Sequence, residues 1–389
     1  IDVVFLLLTF FVSTSIFSQW ETELDIQLPT ADSGVVPDRL PGEIIINLDQ
    51  EGVITVNQHA LTPDDLLDKC QRLVKLYPGH PVVIRSDKGT RYEHLVVVID
   101  TCRKSLAEAE ALVAPLVHKA NRTRNEQLIV DRMRFTRMSF DIMDGYLGMV
   151  RQAATEVNYA DAAKIGQQAL AVREEMTKMS GIFTTYKAMG EGGPTWWPGE
   201  VQQYAKLAGL TDGTNGTLIG TLPLAWAFRR DKKRVGVEQQ YATQPVDLAY
   251  WNANKDKYTL ATLKDYPDQW EMLRTDLYAQ AQGIRDPDRQ SFTGDLWYRT
   301  DIELTAAQAG GKVRLMFPGL FNECWLYVNG REVAYRKQGN LWWLNDYAFE
   351  WDVELTGKLK AGKNTLALRA NCEHHLGGMF RRPFLYAPK

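Results

Sequence analysis

The sequence predicts a multidomain protein with one N-terminal transmembrane helix, a small α/β domain, an α-helical hairpin or bundle, and a C-terminal all-β jelly-roll sandwich. Three observations predict this fold class. Residues 1–17 form a nearly unbroken apolar run, apolar residues recur at helical spacing between 128 and 179, and short alternating strands separated by turns begin at 217. A chain of 389 residues has room for two or three folded domains.

Shifts in composition divide the chain into six segments. They are the transmembrane helix at 1–17, a linker at 18–41, the α/β domain at 42–105, a helical region at 106–190, a second linker at 191–216 and the sandwich at 217–389. Every tryptophan except Trp20 lies beyond residue 190, so the first and last parts differ in kind. A net charge of −3 with evenly scattered Lys and Arg argues against a nucleic-acid binder.

The apolar run at 1–17 carries one carboxylate, Asp2. As a helix, the run spans about 26 Å, which approaches the ~30 Å of a bilayer core. Asp2, Thr9 and Ser13 then fall on one stripe, which would face protein or water. A cleaved signal peptide is the alternative, but no basic residue precedes the run. We expect a retained membrane helix, in a sequence that lacks its true N-terminus because it begins with Ile.

The segment after the first linker alternates strands and helices. The predicted order is strand 43–48, turn 49–52, strand 53–56, helix 62–76, strand 82–86 and helix 92–104. Thr62 is suited to cap the first helix, with Pro63 at its first position and acids in its first turn. The β-branched run at 82–84 is typical of a strand.

The run IDVVFLLLTFFVSTS, the linker and this α/β segment resemble the ExbD/TolR family over residues 1–105. These proteins are single-span subunits of proton-driven energy transducers in Gram-negative inner membranes. The resemblance implies that Asp2 couples proton flow to movement, while Asp87 matches an acidic position better explained as a turn cap. It also implies an ExbB/TolQ-like channel partner, a TonB/TolA-like client, a homodimer through the N-terminal part and a chain that is mostly periplasmic.

The resemblance stops where family members continue with a glycine and a last strand. Here Leu106 begins a helical pattern instead, so the domain would lack an edge strand. A further helix is expected at 159–179, where Ala162, Ile165 and Ala169 share one side. No dinucleotide or phosphate-binding glycine pattern, HExxH or nucleophile elbow occurs, so no cofactor, metal or catalytic residue is predicted.

Four cysteines are split between the two ends of the chain, Cys70 and Cys102 in the first part and Cys324 and Cys372 in the last. None has CxxC spacing, so a metal site is not expected. In an oxidising periplasm Cys324 and Cys372 could pair or could stay as buried thiols. The sequence leaves both open.

The last part alternates apolar and polar residues in short strands. They are predicted at 217–222, 225–229, 270–275, 297–304, 312–317, 323–328, 331–335, 349–355, 365–370 and 384–386. Asn329-Gly330 between two of them signals a tight hairpin. Short strands with frequent turns predict a β-sandwich or jelly roll.

An ordered series in this part resembles the galactose-binding-like, sugar-binding sandwich of family 2 glycoside hydrolases, over about 217–388. The series is WYRT at 297–300, FPGLF at 317–321, WLYVNG at 325–330, WDVEL at 351–355 and LKAGKNTL at 359–366. In those enzymes the catalytic acids lie on a separate barrel domain, and no barrel-length repeat occurs here. Whether the protein is an enzyme stays open; if it is part of one, the resemblance implies a glycoside hydrolase.

Two clusters are candidates for binding a glycan, because tryptophan stacks on pyranose rings while polar groups bond the hydroxyls. The first comprises Trp342, Trp343, Asn345 and Asp346, and the second comprises His374, His375, Arg381 and Arg382. For each aromatic pair, packing between sheets or against helices is the competing interpretation.

Three interpretations of the whole chain follow. The first is a membrane-anchored ExbD/TolR-like subunit of a transport complex fused to a carbohydrate-binding sandwich. The second is the non-catalytic sugar-binding portion of a glycoside hydrolase-like protein with a non-functional membrane piece. The third is a chimeric gene model joined near Ser105 and Leu106.

Overall fold

The computed structural model describes residues 44–76, 82–87, 90, 92–179, 197–260, 262–287, 292–337, 350–372 and 377–389. The chain divides into two units, Ile1–Phe140 and Asp141–Lys389. The predicted transmembrane helix and first linker lie outside the described residues. Within the described residues, every helix is too short or too polar to cross a bilayer.

The first unit is built on a four-stranded sheet in the order β3-β2-β1-β4. Its elements are β1 (Ile44–Leu48), β2 (Ile54–Val56), β3 (His59–Leu61), α1 (Pro63–Leu76), β4 (Val82–Ser86) and α2 (Tyr92–Val117). β4 pairs parallel to β1, whereas β2 pairs antiparallel to both of its neighbours. The predicted strands and helices of this segment are confirmed, and β3 is an additional strand.

Helix α1 begins as the sequence predicts. The Thr62 hydroxyl accepts a hydrogen bond from the Asp65 backbone N–H at 3.1 Å, and the Asp65 carboxylate accepts one from the Thr62 N–H at 3.2 Å. This reciprocal cap satisfies two backbone donors that have no partner inside the helix. The Thr62 hydrogen bonds also lower the pKa of Asp65.

Helix α2 extends beyond the predicted end at 104 and runs unbroken through Ser105 and Leu106 to Val117. Leu106, Ala109 and Val113 recur at helical spacing, and they pack with Met133 of α3 (Arg124–Arg151) in one buried cluster. The residues where the resemblance was predicted to stop therefore lie inside one continuous helix.

In the second unit, helices pack against one face of the smaller sheet of the sandwich. After α3 comes a π-helical turn, Gln152–Glu156, followed by α4 (Tyr159–Met179), which matches its predicted bounds. The segment predicted as the linker 191–216 contains helix α5 (Trp197–Thr211). This helix forms because Val201, Tyr204 and Leu207 recur on one side and are buried in a shared cluster.

Two larger sheets form the sandwich. The first has the order β12-β11-β14-β8-β6-β7 and the second the order β13-β9-β16-β5, while β10 and β15 form a separate pair. The bounds are β5 (Gly216–Thr221), β6 (Ala225–Asp231), β7 (Glu271–Arg274), β8 (Gly294–Leu304), β9 (Arg314–Phe317), β10 (Gly319–Phe321), β11 (Cys324–Val328), β12 (Arg331–Arg336), β13 (Trp351–Glu354), β14 (Gly362–Cys372), β15 (Gly378–Arg381) and β16 (Phe384–Pro388). Two short helices, α6 (Ala249–Asn254) and α7 (Ala306–Gly310), lie in the connections.

The core of the sandwich lies between these two sheets. Inward-facing residues of both sheets share one buried cluster, including Leu296, Leu326 and Leu368 from the six-stranded sheet and Leu315 and Val353 from the four-stranded sheet. The expectation of an all-β sandwich is thereby confirmed. The predicted hairpin is confirmed too, since Asn329 and Gly330 have φ values of 51° and 80°.

All four cysteines are described, and each is a buried thiol without a disulfide. Cys324 and Cys372 both lie in the sandwich core. Burial raises the pKa of each of these two thiols to about 12. Of the two alternatives that the sequence left open for them, the structure has the buried thiols.

Candidate functional site

Most of the residues predicted to couple protons or to bind sugar lie outside the described part of the chain. They are Asp2, Trp342, Trp343, Asn345, Asp346, His374 and His375. Asp87 is described and is buried at the end of β4, where its backbone N–H donates to the Leu48 carbonyl at 2.8 Å. Its backbone contacts fit the turn interpretation.

The two predicted sugar-binding clusters follow strands β12 and β14. Both strands terminate on the same side of the six-stranded sheet. β12 ends at Arg336, which pairs with Cys324 at the start of β11. On its other side, Cys324 pairs with Ala370, near the end of β14. The sequence could not show this, because β12 and β14 are joined through other elements.

Arg381, one of the two described residues of the second cluster, is buried at the end of β15. Its guanidinium donates to Glu200 of α5 at 2.9 Å and hydrogen-bonds to the Gln203 side chain. The same group lies 5.8 Å from the centroid of the Tyr204 ring. Arg381 therefore joins β15 to helix α5, and its predicted role in sugar binding stays a prediction.

Arg382 has a comparable structural setting. Its side chain donates to the carbonyls of Leu222 at 2.7 Å and Thr155 at 2.7 Å. The second of these carbonyls belongs to the π-helical turn, so Arg382 holds that turn against the loop after β5. Burial lowers the pKa of Arg382.

A row of aromatic and arginine side chains crosses the outer face of the six-stranded sheet. We define the aromatic–arginine row by five residues, one from each of five neighbouring strands: Tyr335, Trp325, Arg369, Trp297 and Arg229. Successive members are directly paired across the strands. Because side chains alternate between faces, all five lie on the face opposite the sandwich core.

The row has a covered end and an open end. At the covered end, Tyr241 packs against Trp297 with ring centroids 5.8 Å apart, and Arg229 lies 4.2 Å above the Tyr241 ring. At the open end, Tyr335 is 48% exposed and Trp325 is half-buried. Among the five members of the row, the aromatic rings that reach solvent thus lie on strands β11 and β12.

Trp325 is held between two neighbours at the open end. The Arg369 guanidinium lies 4.1 Å from the centroid of its ring, and the Tyr335 ring centroid lies 5.3 Å away. The Tyr335 hydroxyl donates a hydrogen bond to the Glu323 carboxylate, which raises the pKa of Tyr335. These contacts orient the two rings before any ligand arrives.

Below the row, Arg369 is fixed by a buried carboxylate. Its Nε donates to Asp295 Oδ2 at 2.6 Å, and the Asp295 side chain has no exposed surface. Burial raises the pKa of Asp295, while Arg369 acts in the opposite direction. The Asp231 carboxylate, paired in register with Asp295, accepts the Trp297 indole N–H at 3.1 Å. The buried carboxylates of Asp295 and Asp231 thus position Arg369 and Trp297, respectively.

The sequence contained a partial signal for the row. The alternation at 325–328 places Trp325 and Tyr327 on one face of a strand, and the alternation at 366–369 does the same for Ala367 and Arg369. Which strands are neighbours depends on pairings between residues that are distant in sequence. Alternation alone therefore identified a face but not the row.

A comparison with known protein families matches the first part of the chain. Residues 1–115 match the profile of the family described as biopolymer transport protein ExbD/TolR. A protein of Synechocystis sp. whose name assigns it to the ExbD biopolymer transport proteins is 24% identical over 103 residues, covering 26% of this chain and 38% of that protein. The first-part resemblance is confirmed, and the alignment spans well under half the length of this relative.

Solved structures similar to the chain include β-glucuronidases. One from Ruminococcus gnavus, in complex with D-glucaro-δ-lactam, has a TM-score of 0.33 and 15% identity, covering 45% of this chain and 30% of that one. Another, from an uncultured Clostridium sp., has a TM-score of 0.32 and 16% identity, covering 46% and 30%. The chain spans less than a third of these enzymes, and likeness at this level carries no functional argument.

Proposed function

We propose that the N-terminal part of this chain is an ExbD/TolR-like subunit of a proton-driven transport complex. The observation that carries the proposal is the family match over residues 1–115. In this proposal, residues 1–17 anchor the chain as a single span in a bacterial inner membrane, with the remainder in the periplasm. Asp2 couples proton flow to movement.

The proposal implies protein partners. An ExbB/TolQ-like subunit would supply the proton channel, a TonB/TolA-like protein would receive the movement, and two copies of the chain would associate through the N-terminal part. The described α/β unit supports this, because its strands and helices follow the predicted order on which the resemblance rests, up to the point where the resemblance stops.

The test of proton coupling is Asp2→Asn in the full chain, expressed with its channel partner. The substitution keeps the side chain's size while removing its ionisation, so we expect loss of proton-dependent activity with membrane insertion unchanged. Ser13→Ala on the same stripe is the matched control and should retain activity. Undiminished coupling in the Asp2→Asn protein would refute the assignment.

For the second unit we propose carbohydrate binding, carried by the open end of the aromatic–arginine row. Tryptophan and tyrosine rings offer apolar faces to the C–H groups of a pyranose, and nearby charged groups can bond its hydroxyls. Trp325, Tyr335 and Glu323 combine these features on one exposed strip. Trp342, Trp343, Asn345, Asp346, His374, His375 and Arg381 stay proposed sugar-binding residues.

Carbohydrate binding is tested by native affinity electrophoresis in gels that contain soluble xylan, β-glucan, galactomannan or polygalacturonate. We expect one polysaccharide to retard the full chain, and Trp325→Ala to weaken the retardation by about tenfold. The matched control is Trp251→Ala, because Trp251 is also half-buried but packs on Tyr266 away from the row. Equal retardation of both variants would exclude the row as the binding surface.

The chimeric interpretation is a competing proposal. It is tested by peptide mapping of the protein from its native cell. A peptide that spans Ser105 and Leu106 would establish a natural fusion, in which both proposed functions belong to one chain. Two separate products would mean that the two parts act as unrelated proteins.

A further inference from the structure

Two cysteines face each other inside the first unit. Cys70 lies on α1 and Cys102 on α2, and their residues are only 6% and 8% exposed. Both belong to the apolar cluster that packs these helices on the sheet, together with Leu66 and Val98. The two thiols are therefore held in one rigid interior.

The thiols are in direct contact. They hydrogen-bond to each other, and Cys70 also hydrogen-bonds to the Ser105 side chain. The hydrogen bond with Cys102 lowers the pKa of Cys70, an effect that burial opposes and Ser105 supports. The same hydrogen bond, together with burial, raises the pKa of Cys102. The two thiols therefore form one coupled pair, in which each thiol can stabilise a thiolate on the other.

The other two cysteines have a different environment. The Cys324 thiol lies 3.5 Å from the Phe321 carbonyl, and the Cys372 thiol donates to the Phe292 carbonyl at 3.1 Å. Burial raises the pKa of both, so neither has an activated thiol. Reactivity toward an oxidant should therefore be concentrated at the pair in the first unit.

We propose that Cys70 and Cys102 form a reversible disulfide that ties α1 to α2, with a low-molecular-weight disulfide such as oxidised glutathione as the oxidant. This inference is independent of the proposed transport and sugar-binding functions. It would matter most in an oxidising compartment, where disulfides persist.

The reaction proceeds by two thiol–disulfide exchanges. The Cys70 thiolate attacks one sulfur of the oxidant, whose S–S bond breaks and releases one thiol, leaving a mixed disulfide on Cys70. The Cys102 thiolate then attacks the Cys70 sulfur and releases the second thiol. Two electrons pass from the cysteines to the oxidant, and the two cysteine protons end on the two released thiols.

Because both thiols are buried, the oxidant reaches Cys70 only when α1 opens locally or before it docks. Once formed, the disulfide closes a loop of about 30 residues and restricts the unfolded chain. We expect the melting temperature of the first unit to rise by on the order of 10 °C. Reduction should reverse that rise.

The experiment uses the full chain, fully reduced and then equilibrated in glutathione buffers of increasing oxidised fraction, with and without moderate urea. Remaining thiols are alkylated in denaturant and mapped by peptide mass spectrometry. The expected product is one Cys70–Cys102 crosslink with Cys324 and Cys372 alkylated. Stable glutathione on Cys70 beside an alkylated Cys102, or four alkylated cysteines under all conditions, would overturn the proposal.

Two variants sharpen the result. Cys102→Ser should stop the reaction at the mixed disulfide, so that Cys70 retains glutathione and the melting temperature does not rise. Cys324→Ser removes a thiol of the other unit and should leave the crosslink unchanged. Loss of the crosslink in the Cys324→Ser protein would show that Cys324 takes part in the disulfide, which would contradict the assignment to Cys70 and Cys102.

Discussion

The two units bury their charged groups very differently. In the described part of the first unit, Asp87 is the one buried charged residue. The described part of the second unit buries six, namely Arg230, Asp231, Glu271, Asp286, Asp295 and Arg381. The first unit therefore depends mainly on apolar packing and caps between residues close in sequence, whereas the second uses ion pairs to join elements far apart in the chain.

The difference follows from connectivity. β1 and β4 of the first unit are joined through two hairpins and one helix, so packing of α1 brings them together. In the second unit, Arg381 meets Glu200 across 181 residues. A buried charge is costly unless it is paired, so such pairs penalise arrangements in which the distant elements fail to meet.

The largest effect is expected from breaking the Arg381–Glu200 pair. Arg381→Met leaves Glu200 and Gln203 without their buried partner and should destabilise the second unit by about 3–5 kcal/mol. Urea denaturation, with hydrogen exchange followed separately in peptides of each unit, measures the effect. The control is Lys178→Met, whose ion pair with Glu175 is exposed and should contribute almost nothing to stability. Equal effects of the two variants would show that the buried Arg381–Glu200 pair matters no more to the second unit than an exposed pair does.

The second prediction concerns Glu271, which pairs with Arg230 at 3.0 Å. Burial raises the pKa of Glu271 to about 7, with Arg230 opposing the rise. Because the folded pKa lies above the ordinary value of 4.5, the folded state binds the proton more tightly. The contribution of this group to stability is therefore fully present below pH ~4.5 and decreases as the pH rises toward ~7.

The expected loss across that window is on the order of 3 kcal/mol, since one pKa unit corresponds to about 1.4 kcal/mol. Glu271→Gln cannot ionise, so its unfolding free energy should lack this part of the pH dependence. Urea denaturation of both proteins between pH 4.5 and 7.5 measures the difference. Parallel pH profiles for the two proteins would show that the Glu271 pKa is not raised by folding.

The third prediction tests the turn that the first unit uses between β1 and β2. Gly52 has φ +87°, and an added Cβ would overlap the His94 ring. Gly52→Ala should therefore destabilise the first unit by about 1–2 kcal/mol. Gly213 has a similar φ of +93° but open space around it, so Gly213→Ala isolates the backbone contribution. An effect at Gly52 smaller than at Gly213 would mean that His94 does not restrict the turn.

The smallest effect on stability is expected at the open end of the row. Tyr335 is 48% exposed, so Tyr335→Ala should change the unfolding free energy only slightly. Trp297→Ala at the covered end should cost about 3–5 kcal/mol, because Trp297 is buried. Similar losses at the two positions, measured by urea denaturation, would show that the open end is needed for folding.

Local sequence signals predicted many of the elements. The β-branched run at 82–84 correctly predicted the bounds of β4. The apolar spacing at 159–179 correctly predicted both ends of α4. Shorter elements without such signals were missed. β10 and β15 are three and four residues long and begin with glycine, and α5 follows a Gly-Pro segment that resembles a linker.

The sequence by itself determined the elements, the resemblance of the first part to ExbD/TolR, and the alternation that gives each sandwich strand an inner and an outer face. These properties depend on residues a few positions apart. Only the tertiary structure decided that Arg369 lies between Trp325 and Trp297, that Cys70 meets Cys102, and that Arg381 is paired with Glu200. The physical reason is that strand order, helix packing and ion pairing join residues far apart in the chain, whose meeting no local spacing encodes.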